Sequence, residues 1–162
     1  MISTEKIKAL PSSTKVELRR AFGKHCEDMK QSTAIAFYSI APENMSLREM
    51  QNTFFTTTLY CHYGDKADNG IKFCDAVSEH YRKSTDSGKH ELTFFLDAPY
   101  SVHGTFFSRL YSLIRRMEKE GIVVDAHDLY KELKYWDSRS KTRKIEIAKR
   151  INATKEETEN DN

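Results

Sequence analysis

The sequence predicts an all-α fold, a helical bundle of eight or nine helices in two small lobes. Three observations lead there. Apolar residues recur at helical spacing, most clearly Phe106, Leu110, Leu113, Ile114 and Met117, which fall at i, i+4, i+7, i+8 and i+11. No stretch keeps a period-two alternation for long. Six Gly and three Pro in 162 residues are few, whereas a sandwich or barrel needs turn residues at intervals of about ten.

Each element follows from local chemistry. Pro11 closes a short first helix. Thr14-Lys15-Val16-Glu17 reads as a capping box, in which each side chain satisfies an orphan amide of the helix start. The helix it opens buries Leu18, Ala21 and Phe22 and stops at Gly23. A third helix runs through Ala34–Tyr38 toward Pro42. Ser46-Leu47-Arg48-Glu49 is a second capping box, opening a helix that carries Phe54, Phe55, Leu59 and Tyr60 as far as Gly64. Gly64–Gly70 reads as a loop, and Cys74, Val77 and Tyr81 then share one helical face. Ser84–Gly88 reads as another loop before a short helix at Phe94-Phe95-Leu96. The long run ending at Met117 stops at Gly121. Asp125 is an N-cap for a helix bearing Leu129, Leu133 and Trp136. The last helix spans about Ser140 to Ile151, with Ile147, Ala148 and Ile151 as its buried face.

Composition sets the frame. Apolar residues make up 38%, with nine Phe and eight Tyr to fill a core, and charged residues make up 31%. The length fits one domain, read as an N-terminal lobe over 1–98 and a basic C-terminal lobe over 99–151. Residues 152–162 read as an acidic, disordered tail. Three Cys, at 26, 61 and 74, show no CxxC spacing and read as reduced thiols rather than a disulfide scaffold. The first residues lack an apolar signal core, and no run approaches membrane-spanning length. The expected location is the cytoplasm.

Charge is uneven along the chain. Residues 1–99 carry thirteen acids and thirteen bases, whereas residues 100–151 carry twelve bases and seven acids, a net of +5. Residues 152–162 carry one Lys against four acids, a net of −3. Between Arg139 and Arg150 lie six Lys/Arg and one acid, again +5, in a chain whose formal net charge is +2. Further basic pairs stand at Arg19-Arg20 and Arg115-Arg116. A solvated, solubilising face is the plain reading of such a run. The alternative is that basic residues of separate helices converge on a phosphate backbone. No helix-turn-helix, RNP or zinc-finger pattern points to reading of base edges.

At these residues the chain resembles the small subunit of the type I-E CRISPR surveillance complex, the CasB family of Cascade. The pattern is an apolar helix ending in Leu113-Ile114-Arg115-Arg116, the link Gly121-Ile122-Val123-Val124-Asp125, a helix with Leu129 and Leu133, then Trp136-Asp137. Arg139, Arg143, Lys144 and Ala148 follow. In the first half, Leu18-Arg19-Arg20-Ala21, Ala36-Phe37-Tyr38 and Thr58-Leu59-Tyr60 fall in order. The chain departs from the pattern where Ile147 and Ile151 replace aromatic residues and where His90-Glu91 replaces a basic pair.

The resemblance implies a non-catalytic antiviral-defence subunit that binds nucleic acid without sequence preference and stabilises the displaced DNA strand of the R-loop. Its implied partners are the backbone and large subunits, a second copy of itself, the displaced single strand and, as a further candidate, guide RNA. The residues assigned to strand contact are Arg20, Arg115, Arg116, Arg139, Lys141, Arg143 and Lys144. No cofactor, metal or membrane is expected, and Trp136 reads as a core anchor rather than a base-stacking platform.

Two other classes are open. Arg20 and His25 match the Arg-x4-His spacing of metal-independent HEPN ribonucleases, although Gly23 interrupts the helix that would present both. A protein-only helical adaptor is the third reading. For a metal, His25-Cys26 and Cys61-His62 offer four donors on paper, but neighbouring helical residues diverge by about 100° and rarely reach one ion.

Overall fold

The computed structural model describes residues 1–68 and 70–159, with residues 154–159 as backbone only. Among the described residues there are nine α-helices: α1 (Thr4–Lys8), α2 (Ser12–Arg20), α3 (Gln31–Tyr38), α4 (Leu47–Tyr63), α5 (Phe73–Lys83), α6 (Asp86–Asp97), α7 (Phe106–Lys119), α8 (Ala126–Lys134) and α9 (Ser140–Glu159). Short 3-10 turns at Cys26–Asp28 and Gly64–Ala67 join them. The all-α bundle is as the sequence predicts.

The organising element is α4. Every residue from Gln51 to Tyr60 is buried, so this helix is enclosed on all sides, not only on its Phe54–Leu59 face. Most of its polar positions that carry a hydrogen bond use it inside the bundle, although Thr57 Oγ1 and Gln51 Nε2 are buried without a partner among the described residues. Gln51 Oε1 accepts from the Cys26 amide at 2.7 Å, and Asn52 Oδ1 accepts from the Tyr100 hydroxyl at 2.7 Å. Thr56 and Thr58 return their hydroxyls to backbone carbonyls of their own helix at 2.8 and 2.9 Å. Its start is the expected capping box: Ser46 Oγ accepts from the Glu49 amide, while the Glu49 carboxylate accepts from the Ser46 amide at 3.0 Å.

Around α4 pack α2 and α8, with α3 against α2; α5 packs on α9, and α6 bridges α7 and α9. Buried side chains from both sides of residue 98, among them Phe55, Phe73, Leu110, Leu129 and Trp136, form one core. The residues before and after 98 therefore share that core. One parallel bridge pairs Ile71 with Val124, through Ile71 N–H to Val123 O and Asp125 N–H to Ile71 O, both 2.9 Å. Gly70 permits it, since a Cβ there would lie 2.5 Å from the Asp125 nitrogen.

Several boundaries move. Helix α2 begins at Ser12 behind Pro11, so Thr14 lies inside the first turn and its capping box does not form. Helix α6 begins at Asp86, with Thr85 Oγ1 accepting from the Gly88 amide, and takes up most of the expected Ser84–Gly88 loop. Asp125 caps α8 as expected, its carboxylate accepting from the Asp128 amide at 2.6 Å. Ala148 is exposed, leaving Ile147 buried and Ile151 half-buried as the inner face of α9. The α9 backbone continues to Glu159 rather than ending near Ile151. Residues 160–162 of the expected tail lie outside the described residues.

Candidate nucleic-acid interface

Trp136 follows α8 and lies in the densest aromatic cluster. Phe106, Phe95 and Phe73 stand with ring centroids 5.0, 5.3 and 6.0 Å from it, and its Nε1 donates to Ala98 O at 2.9 Å. The next residue, Asp137, accepts from the Tyr100 amide at 2.8 Å and pairs with Arg48 of α4 at 3.5 Å. The Trp-Asp pair thus clasps α8, the α6–α7 link and α4.

Upon this cluster sits Arg143, and here the sequence expectation is corrected. Arg143 is fully buried. Its guanidinium stacks 3.7 Å from the centre of the Trp136 ring, donates to Trp136 O at 3.0 Å, and pairs with Glu132 at 3.3 Å. Burial lowers its pKa, opposed by the Glu132 charge. A phosphate outside cannot reach it. Glu132, which the sequence reading passed over, is itself buried and also holds Arg139 at 2.5 Å. Arg139 is further tied to Glu146 at 3.3 Å.

The remaining assigned residues are distributed over the surface. Arg20 is largely exposed, pairs with Glu17 at 3.3 Å, and sits on α2, apart from α9. Arg115 is about as exposed as Arg116, and it pairs with Glu118 and lies 3.0 Å from His62 Nε2. Arg116 is half-exposed and meets Glu91 at 2.7 Å. Lys144 is half-exposed and meets Asp97 at 2.5 Å. Lys141 and Lys149 are exposed and show no acid partner among the described residues. Arg150 pairs with Asp75 and Glu146. The +5 of the basic run is therefore largely answered by acids from other helices.

What the fold does bring together lies along α6. Glu91, Phe94 and Asp97 follow one another at three-residue spacing, within an arc of about 120° and about 9 Å along the axis. Glu91 holds Arg116 of α7 on one side, and Asp97 holds Lys144 of α9 on the other. Phe94 is 60% exposed, with the Arg109 guanidinium 5.1 Å from its ring centre. Phe94, Arg109, Ser108, Ser112, Glu91 and Arg116 line an open groove of about 360 Å³ between α6 and α7. An exposed aromatic ring, two guanidiniums and two hydroxyls suit a base face beside a phosphate. Phe94 and Arg109 were missed because neither belongs to a charge run. Their only signal is a large aromatic off the buried stripe of α6.

The chain matches no protein-family model, no curated protein and no solved structure. Among the described residues no helix is long and apolar enough to cross a membrane.

Proposed function

We propose that this protein is a non-catalytic small subunit of a CRISPR guide-RNA surveillance complex, holding the displaced DNA strand through Lys/Arg–phosphate contacts. The observation that carries the reading is the α6 groove, where Arg109 lies over exposed Phe94 while Glu91 and Asp97, on either side of Phe94 along α6, hold Arg116 and Lys144. The cations there are available at small cost. Exposed ion pairs are worth about 0.2–1 kcal/mol, so a phosphate can replace Glu91 or Asp97. Breaking a buried pair costs about 3–5 kcal/mol, which keeps Arg143 in its structural role. Modest contacts suffice, because exchanging a DNA duplex for an RNA–DNA hybrid is nearly balanced.

Trp136 and Asp137, two residues of the family resemblance, join α8 to the α6–α7 link and α4. Head-to-tail pairing with a second copy and docking on backbone and large subunits belong to the same proposal, as does a cytoplasmic location. The ribonuclease alternative draws less support. Helix α2 ends at Arg20, and His25 lies beyond Gly23 with its Nε2 directed at Val102 O.

Permanganate reactivity of displaced thymines in the assembled, target-bound complex tests the reading. Wild type should protect part of the displaced strand, and Phe94→Ala/Arg109→Ala should restore its reactivity. Equal reactivity with either protein would leave an adaptor that binds only protein.

A further inference from the structure

His25, Glu27 and His103 lie away from the α6 groove, on the connector after α2 and on the link between α6 and α7. The fold places one donor atom of each within 4.8 Å of a donor atom of each of the others. Glu27 Oε2 stands 3.5 Å from His25 Nδ1 and 3.6 Å from His103 Nδ1, and the two rings stack 5.7 Å apart at 30°.

Two hydrogen bonds orient the His25 ring. Nε2 lies 2.8 Å from Val102 O, and a carbonyl only accepts, so Nε2 carries the hydrogen. Nδ1 accepts from the Glu27 amide at 3.2 Å, so it presents a lone pair. The 3.5 Å contact between His25 Nδ1 and Glu27 Oε2 is thus acceptor facing acceptor rather than an ion pair. A cation between these two acceptors would take over the His25 lone pair from the Glu27 amide and satisfy the carboxylate as well. Fixing the far ring nitrogen on a backbone carbonyl is also how metal-binding histidines are usually oriented.

The spacing agrees with this. Tetrahedral zinc with Zn–N and Zn–O bonds of about 2.0–2.2 Å has ligand–ligand edges of about 3.3–3.6 Å. The two observed edges fall at the upper end of that range. We propose that His25 Nδ1, the Glu27 carboxylate and His103 Nδ1 bind a borderline divalent cation, zinc fitting best, with water in the fourth position. The ion would replace the long Glu27 amide bond to His25 and join His25 to His103, 78 residues apart in sequence. Cys26, next to His25, takes no part: it is buried, and burial pushes its thiol up to about 11.

The test is calorimetric titration of the metal-stripped, tag-free full chain with zinc chloride, alongside thermal melts and cobalt(II) absorption. Wild type should take up one zinc per chain and melt higher with it, while magnesium has no effect. His103→Ala, whose exposed ring can be lost without disturbing the core, and Glu27→Gln should each weaken uptake by more than about tenfold. The cobalt form should show four-coordinate visible bands without a thiolate charge-transfer band. Absence of stoichiometric uptake by wild type, uptake indifferent to both substitutions, or a thiolate band would each overturn the assignment.

Discussion

Arg143 shows how burial decides a residue's role. Its guanidinium lies over Trp136 and against Glu132, both buried, so removing it empties the space over the indole and leaves the buried carboxylate to Arg139 alone among the described residues. Arg143→Ala should destabilise the protein by about 3–5 kcal/mol, read as a lowered urea midpoint. The double variant Arg143→Met/Glu132→Gln, which removes both charges at similar volume, should recover most of that loss. The cysteines make a second case. Burial raises Cys26 and Cys61 to about 11 and Cys74 to about 12, against an ordinary 9.0. A raised folded value means these thiols contribute stability that is fully present below about pH 9 and lost as pH rises through 11 and 12. Stability against urea should fall across that window, and native thiols should react with a disulfide reagent at pH 8 far more slowly than unfolded ones.

At the scale of elements, what was legible is what is local. The capping box at Ser46–Glu49, the Asp125 cap and the Phe106–Met117 stripe are decided within a few residues, and all three are as the sequence predicts. Ser46→Ala should lower stability by about 1 kcal/mol in the same urea assay by removing one partner of the box. The Thr14 box failed because Pro11 had already set the entry to α2. The α6 start was hidden by Ser, Asp and Gly, which favour loops until Thr85 caps them. Enclosure of α4 was not legible, since Thr and Asn at buried positions look like a solvated face until neighbours surround them. The acids that answer the basic run were invisible for a related reason. Glu132, Asp97 and Asp75 reach it only through the packing of α8, α6 and α5 on α9.

For the whole molecule, the same packing changes what charge counting means. The seven assigned cations do not form one stripe. Arg143 belongs to the core, and Arg115 and Arg139 are turned toward acids. Arg116 lines the groove that holds Phe94 and Arg109, Lys144 pairs with Asp97 of α6, and Lys141 is exposed on α9. A strand held this way should be gripped without regard to sequence and released by salt. The most direct measurement is fluorescence anisotropy of labelled single-stranded DNA of mixed sequence over a salt series, comparing wild type with Arg116→Ala/Lys141→Ala/Lys144→Ala. Wild type should bind intact strands with affinity falling by a log–log slope of about 0.7 for each phosphate neutralised, and the triple variant should lose about 2 from that slope. Absence of binding by wild type, a slope unchanged in the variant, or cleavage of the strand would contradict the strand-holding account.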